Sequence, residues 1–223
     1  MPVNPVEDIA GRSGSSSAKL GLEAPMSSSL RECYPDPSER AVLKTQRALD
    51  VHMKRFVALS PFVCLGSSSE DGADVTPRGD HPGFVHVLDD ATLLIPDWPG
   101  NNRLDTLMNI EANPQVGLLF LIPGFNESLR VNGTAEVSLD PALIERWTVN
   151  GKHPRSVLRV TVREAFLHCG KAIIRSKLWD ESSRVDRSAL PPYGQMLKDE
   201  IDVRDSAEEI QASVEDAYRT RLY

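Results

Sequence analysis

Apolar residues recur at helical spacing early in the chain: Val42, Leu49, Met53 and Phe56, widened by Leu43 and Val57. That pattern predicts one helix from about Ser38 to Leu59 that lays a single face on a sheet. Asp36 or Ser38 can cap its start, with Pro37 tolerated in the first helical position. The period then shortens. Pro61 to Gly66 (PFVCLG), Ala73 to Pro77, Phe84 to Leu88 and Thr92 to Ile95 read as short strands, the last two joined as a hairpin by Asp89-Asp90-Ala91. Gln115 to Ile122 (QVGLLFLI) is almost continuously apolar, as a central strand would be. Glu127 to Leu139 alternates around Leu129, Val131, Ala135 and Val137, with one face inward, and Asn132-Gly133 marks a bulge or tight bend. Ser156 to His168 is a further long strand. Short helices are expected after Arg103, ending at Asn113-Pro114, from Asp140-Pro141 to about Trp147, and from about Asp205 to Arg221. Six or seven strands joined by hairpins, with helices between some of them, predict a mainly β (α+β) antiparallel split barrel rather than a doubly wound sheet.

Composition sets the frame around that barrel. The 223 residues suit one domain with appendages. Residues 1–33 are rich in Ser, Gly and Pro and read as a disordered or loosely docked arm. Residues 34–180 hold the barrel, and 181–223 a helical extension. Net charge is -7, which argues against a nucleic-acid partner, whose phosphates would call for a surplus of Lys and Arg. No apolar run is long enough to span a bilayer, and the N-terminus does not resemble a secretory signal, so the expectation is a cytoplasmic chain without a membrane partner. Cys33, Cys64 and Cys169 are scattered and lack paired spacing. The histidines (His52, His81, His86, His153 and His168) lack metal-ligand spacing, so no metal site is expected. His168-Cys169 has the composition of a nucleophile and its base, but neighbours on a strand point to opposite faces. No catalytic residue is assigned.

One stretch carries candidate chemistry. Pro96-Asp97-Trp98-Pro99-Gly100-Asn101-Asn102-Arg103 leads into a helix that Asn101 or Asn102 can cap. Arg103 then falls in the first turn, where a cation is unfavourable unless an anion lies beside it. Free amides and an Arg at a helix start suit a phosphate. A capped surface helix with a solvated Arg is the plainer alternative.

Four stretches then acquire a common meaning: VTPRGDHPGFVHVLDDATLLIPDWPGNNRLDTLMNI, NPQVGLLFLIPG, LRVNG and HCGKAIIRSKLWD. Together they resemble the FMN-binding split-barrel family of pyridoxamine 5'-phosphate oxidase-like proteins, in its uncharacterised FMN-dependent branch, over about Ala58 to Asp180. The resemblance implies FMN as cofactor, a homodimer with FMN at the subunit interface, and an FMN-dependent oxidoreductase acting on a small molecule. A non-catalytic flavin carrier or sensor, or a barrel using deazaflavin or haem, are the alternatives. By position, Val75, Thr76 and Arg78 stand in the strand beside the flavin, Arg78 in place of the family's Lys. Ala73 stands where the family has an Arg. Ile95 and Pro96 match a Tyr-Thr pair in position only, Asn102 and Arg103 an Arg-Lys pair at the phosphate, and Ser128 a Gln. The family's substrate-holding Arg-Leu-His-Asp segment is absent, so vitamin B6 oxidation is not implied. In its place Lys171, Arg175 and Trp179 either wall the pocket or form a solvated basic face over a packed Trp. Lys171 and Arg175 share one helical face.

Overall fold

The computed structural model describes residues 28–223; the rest of the expected arm, 1–27, lies outside the described residues. The described residues fall into two units taken separately, 28–38 and Glu39–Tyr223. In the first, α1 spans Ser28–Cys33. In the second, α2 (Glu39–Leu43) and α3 (Val51–Leu59) precede β1 (Phe62–Ser69), β2 (Gly72–Gly79), β3 (His86–Asp89) and β4 (Thr92–Asp97). Then come α4 (Asp105–Ala112), β5 (Gln115–Leu121), β6 (Ser128–Ser138), α5 (Pro141–Ile144), β7 (Ser156–His168), α6 (Lys171–Ser176), α7 (Tyr193–Glu200) and α8 (Ala207–Thr220).

The seven strands form one antiparallel sheet in the order β2-β1-β5-β6-β7-β4-β3. This is the α+β split barrel that the hairpin-rich pattern predicts. Its interior is filled by one face of each of the five inner strands: Val63 and Leu65, Leu93 and Ile95, Leu118 and Phe120, Leu129 and Val131, Leu158 and Val160. Met53, Phe56 and Val57 of α3 close one side of that core. A second, smaller cluster of Leu94, Trp147 and Val157 lies on the other face of β4. The bulge expected at Asn132-Gly133 is present as a register shift against β7.

Two expectations fail for local reasons. The helix predicted from Ser38 to Leu59 is broken. Gln46 leaves the helical path to exchange backbone hydrogen bonds with Ala165 of β7, at 2.9 and 2.8 Å. A fresh helix then starts at Asp50, whose carboxylate accepts from the amides of His52 and Met53. The apolar spacing is real, but its first members, Val42 and Leu43, stay exposed. The second failure is the cap of α4. Leu104, in the left-handed region at φ 62°, occupies the cap position with no side-chain hydrogen bond. Asn101 instead accepts from the amide of Arg103, and Asn102 is itself left-handed at φ 59°. Arg103 therefore precedes the helix rather than riding in its first turn.

Candidate functional site

Side chains alternate along each strand, so the residues between the core positions face outward together. Register lines them up across the sheet. One row runs Val75, Gly66, Gly117, Asn132, Glu164. The next runs Pro77, Cys64, Leu119, Arg130, Phe166. Near the ends of β6 and β7, Ser128 pairs with His168. With Cys169 and with Ala172 and Ile173 of α6, parts of these rows line a cleft of about 490 Å³. That volume is ordinary for a small-molecule site. Gly66 and Gly117 face each other in its floor, where β5 lacks a side chain amid an apolar run. The floor is therefore peptide backbone flanked by Leu119, Leu121 and Val75, a surface on which a planar ring can lie. The apolar run predicts β5 as a central strand, and it is one, with this floor on its outward face.

The polar rim gathers at the other end. Arg130 is exposed and makes no ion pair among the described residues. Its guanidinium lies 5.0 Å from the centre of the Phe166 ring, as does the Lys44 ammonium. His168 is half-buried, with its Nδ1 enclosed and unpartnered. Burial, then the charges of Lys44 and Arg130, hold its pKa below the ordinary histidine value. Both effects favour the uncharged imidazole. Both His168 and Cys169 reach the cleft, because β7 ends at His168 and strand alternation no longer applies to the next residue.

A second locus lies where the barrel splits. Arg78 of edge strand β2 forms an ion pair with Asp97 at the end of β4, bridging from one sheet edge towards the other. Both side chains are largely buried, and the Nε of Arg78 has no partner. Asp74, Thr76 and Arg78 share this side of β2, and Thr106 of α4 donates weakly to Asp74 at 3.5 Å. Arg103 hydrogen-bonds Asp105 at 2.8 Å, which raises its already high pKa; Asp74 adds a smaller pull.

The residues singled out in the sequence therefore fall into groups. Val75 and Ser128 line the cleft, and Lys171 adjoins the two α6 residues that do. Thr76 and Arg78 look towards the split, with Asn102 and Arg103 in the exposed loop before α4. Ile95 and Pro96 lie in β4 with both side chains buried, so only backbone is left to offer. Arg175 is exposed on α6. Trp179 is half-buried, its indole donating to the Phe125 carbonyl at 2.7 Å. Gly66, Gly117, Lys44 and Arg130 were not singled out. The signal for Gly117 was a glycine inside an apolar strand, and for Arg130 a charge at an outward position of an alternating one.

Among the described residues no group of three or more His, Cys, Asp or Glu could hold a metal ion, and no helix is long and apolar enough to cross a membrane. A family model described as pyridoxamine 5'-phosphate oxidase matches residues 49–169, more than half of the chain. The chain belongs to the pyridoxamine 5'-phosphate oxidase family. That match takes in α3 and all seven strands up to Cys169, and so the whole cleft floor. Comparison with curated proteins gives no match. Among solved structures the chain is similar to HupZ from Group A Streptococcus, with 18% identity and a TM-score of 0.45 over 53% of this chain and 93% of that one. It is also similar to a candidate pyridoxamine 5'-phosphate oxidase from Lactobacillus delbrueckii, with 22% identity and a TM-score of 0.43 over 54% and 95%. A general stress protein 26 relative from Clostridium acetobutylicum aligns at 16% identity and a TM-score of 0.39 over 53% and 87%.

Proposed function

We propose that this protein is an FMN-binding flavoprotein, a homodimeric FMN-dependent oxidoreductase that acts on a small molecule. The observation that carries the reading is the glycine-floored cleft, in a chain of this family. A cleft of about 490 Å³ over a largely apolar floor suits a fused planar ring better than a compact polar ligand. Val75, Gly66 and Gly117 would take the ring. FMN ends in a phosphate with nearly two negative charges, which calls for guanidinium donors. Arg78 fits that need in one respect: its buried Nε lacks an acceptor. Arg103 fits in another: its pair with Asp105 is solvent-exposed on both sides, so exchanging that carboxylate for a phosphate costs little.

When bound, FMN supplies hydride and electron transfer itself. The chain's own part is to hold the ring flat, neutralise the phosphate and exclude water. Exposed apolar side chains at and near the cleft, among them Val75 and Ile174, would be covered by a second copy.

The test is direct. The purified full-length chain, stripped of bound small molecules, is titrated with FMN and with riboflavin while flavin fluorescence is followed. Tighter binding of FMN than of riboflavin by roughly 10-fold or more is expected from one charge-assisted contact. Equal affinities would sink the phosphate assignment, and no uptake of either would sink the flavin reading.

A further inference from the structure

We propose that the Lys44–Arg130–His168 end of the cleft is the seat of a carboxylate, and that the small molecule acted on is a planar organic acid. The inference rests on the reading that chemistry occurs in this cleft. Four observations carry it. The chain has net charge -7, yet Arg130 on the cleft rim has no acidic partner among the described residues. The nearest candidate on the same sheet face, Glu164, accepts instead from the Asn132 amide at 2.6 Å. Arg130 and Lys44 lie against the same aromatic ring at 5.0 Å each, and both like charges act on His168. That arrangement is unfavourable by itself and becomes favourable when an anion joins it. Finally, the His168 Nδ1 is enclosed without a hydrogen-bond partner.

The donor geometry points to a carboxylate. Lys44 keeps its charge but is tethered by its hydrogen bond to the Leu167 carbonyl at 3.0 Å, so Arg130 presents the uncommitted donor fork. A guanidinium fork matches the two oxygens of a carboxylate in one plane. Glu164, in the adjacent row, disfavours a dianion. The rest of the cleft lining next to this rim, Leu119, Leu121 and Ile173, leaves room for a flat body behind the carboxylate.

Benzoate is the probe, with inorganic phosphate as its rival, at ionic strength held constant with chloride. Binding to the full-length chain is followed by calorimetry, with and without FMN. Benzoate should bind, and Arg130→Gln should weaken it roughly 10-fold or more, with Arg130→Lys between the two. His168→Gln should weaken it less, because burial and the nearby cations favour the uncharged imidazole. Both Arg130 variants should keep wild-type FMN affinity. Unchanged benzoate affinity in Arg130→Gln would overturn the seat, and phosphate binding more tightly than benzoate would overturn the carboxylate. Parallel loss of FMN in Arg130→Gln would mean that these cations hold the cofactor phosphate, which also overturns the proposal. Arg130-dependent benzoate binding by a chain that takes up no FMN would leave the seat standing and remove the flavin reading instead.

Discussion

Replacing Asp97 by Asn tests what Arg78 does for the fold itself. The Arg78 and Asp97 side chains are only 20% and 14% exposed, and the pair spans from edge strand β2 to β4. At an effective dielectric near 20, charges about 4 Å apart attract by roughly 4 kcal/mol, an attraction mostly offset by the cost of burying both ions. The net value of the intact pair is therefore small. The cost of halving it is not: Asp97→Asn leaves a largely buried guanidinium whose Nε already lacks an acceptor. Fully buried pairs lose about 3–5 kcal/mol in this way; with the residual exposure here, roughly 2–3 kcal/mol is expected. Urea unfolding, read through the fluorescence of Trp98, Trp147 and Trp179, should show a midpoint lower by about 1 M at an unchanged slope. The double variant Arg78→Met, Asp97→Leu should recover most of that loss, and set against Arg78→Met and Asp97→Leu alone it should give a coupling of at least about 1.5 kcal/mol. A loss under roughly 0.5 kcal/mol in the single variant, with additive behaviour in the double, would refute a bridging role and leave Arg78 free to serve a ligand alone.

Gly133→Ala should be among the most damaging single substitutions. A Cβ there would lie 2.1 Å from the Thr161 carbonyl oxygen, backbone that cannot step aside; a loss of about 3 kcal/mol, or roughly 6–12 °C in melting temperature, is expected by calorimetry. Tyr223 donates its hydroxyl to Asp80 at 2.7 Å, and its pKa is pushed up to about 12, first by that hydrogen bond and then by burial. The folded chain thus keeps a proton that the unfolded chain releases near pH 10, so stability should fall between about pH 10 and 12; Tyr223→Phe should flatten that part of the pH profile in chemical unfolding, and an unchanged slope would exclude the contact.

The strands were legible because their signals are local. Alternation at Leu129, Val131 and Ala135 fixed the inward face of β6, and Ser156 to His168 carried its own boundaries. The break before α3 was not legible in the same way. Asp50 is a good cap in the sequence, but the feature that makes it one is a backbone bridge between Gln46 and Ala165, far apart in the chain. The cap of α4 failed for the opposite reason: two Asn residues offered themselves, and the chain used left-handed turns at Asn102 and Leu104 instead. For the site, Val75 and Ser128 came from the family resemblance and not from periodicity. It missed Arg130, whose interest lies in the acid it does not meet, a fact that only packing reveals.

Strand β2 explains how two loci of different chemistry can serve one ligand. It is an edge of the sheet, paired to β1 on one side only. Alternation sends Val75 and Pro77 to the cleft side and Asp74, Thr76 and Arg78 to the side of the split. A ligand with an apolar ring and a charged tail can therefore meet both faces of one strand by passing its open edge, without parting any paired backbone. A central strand offers no such passage, because both its edges are hydrogen-bonded. The same geometry separates the cations by role. Arg78 is held by Asp97 at the split, Arg103 is lightly held by Asp105 in the loop, and Arg130 stands uncommitted at the far rim. Graded commitment of this kind suits a cofactor tail at the first two and an exchangeable anion at the third, since the ligand that leaves every cycle is best met by the cation that needs no other partner back.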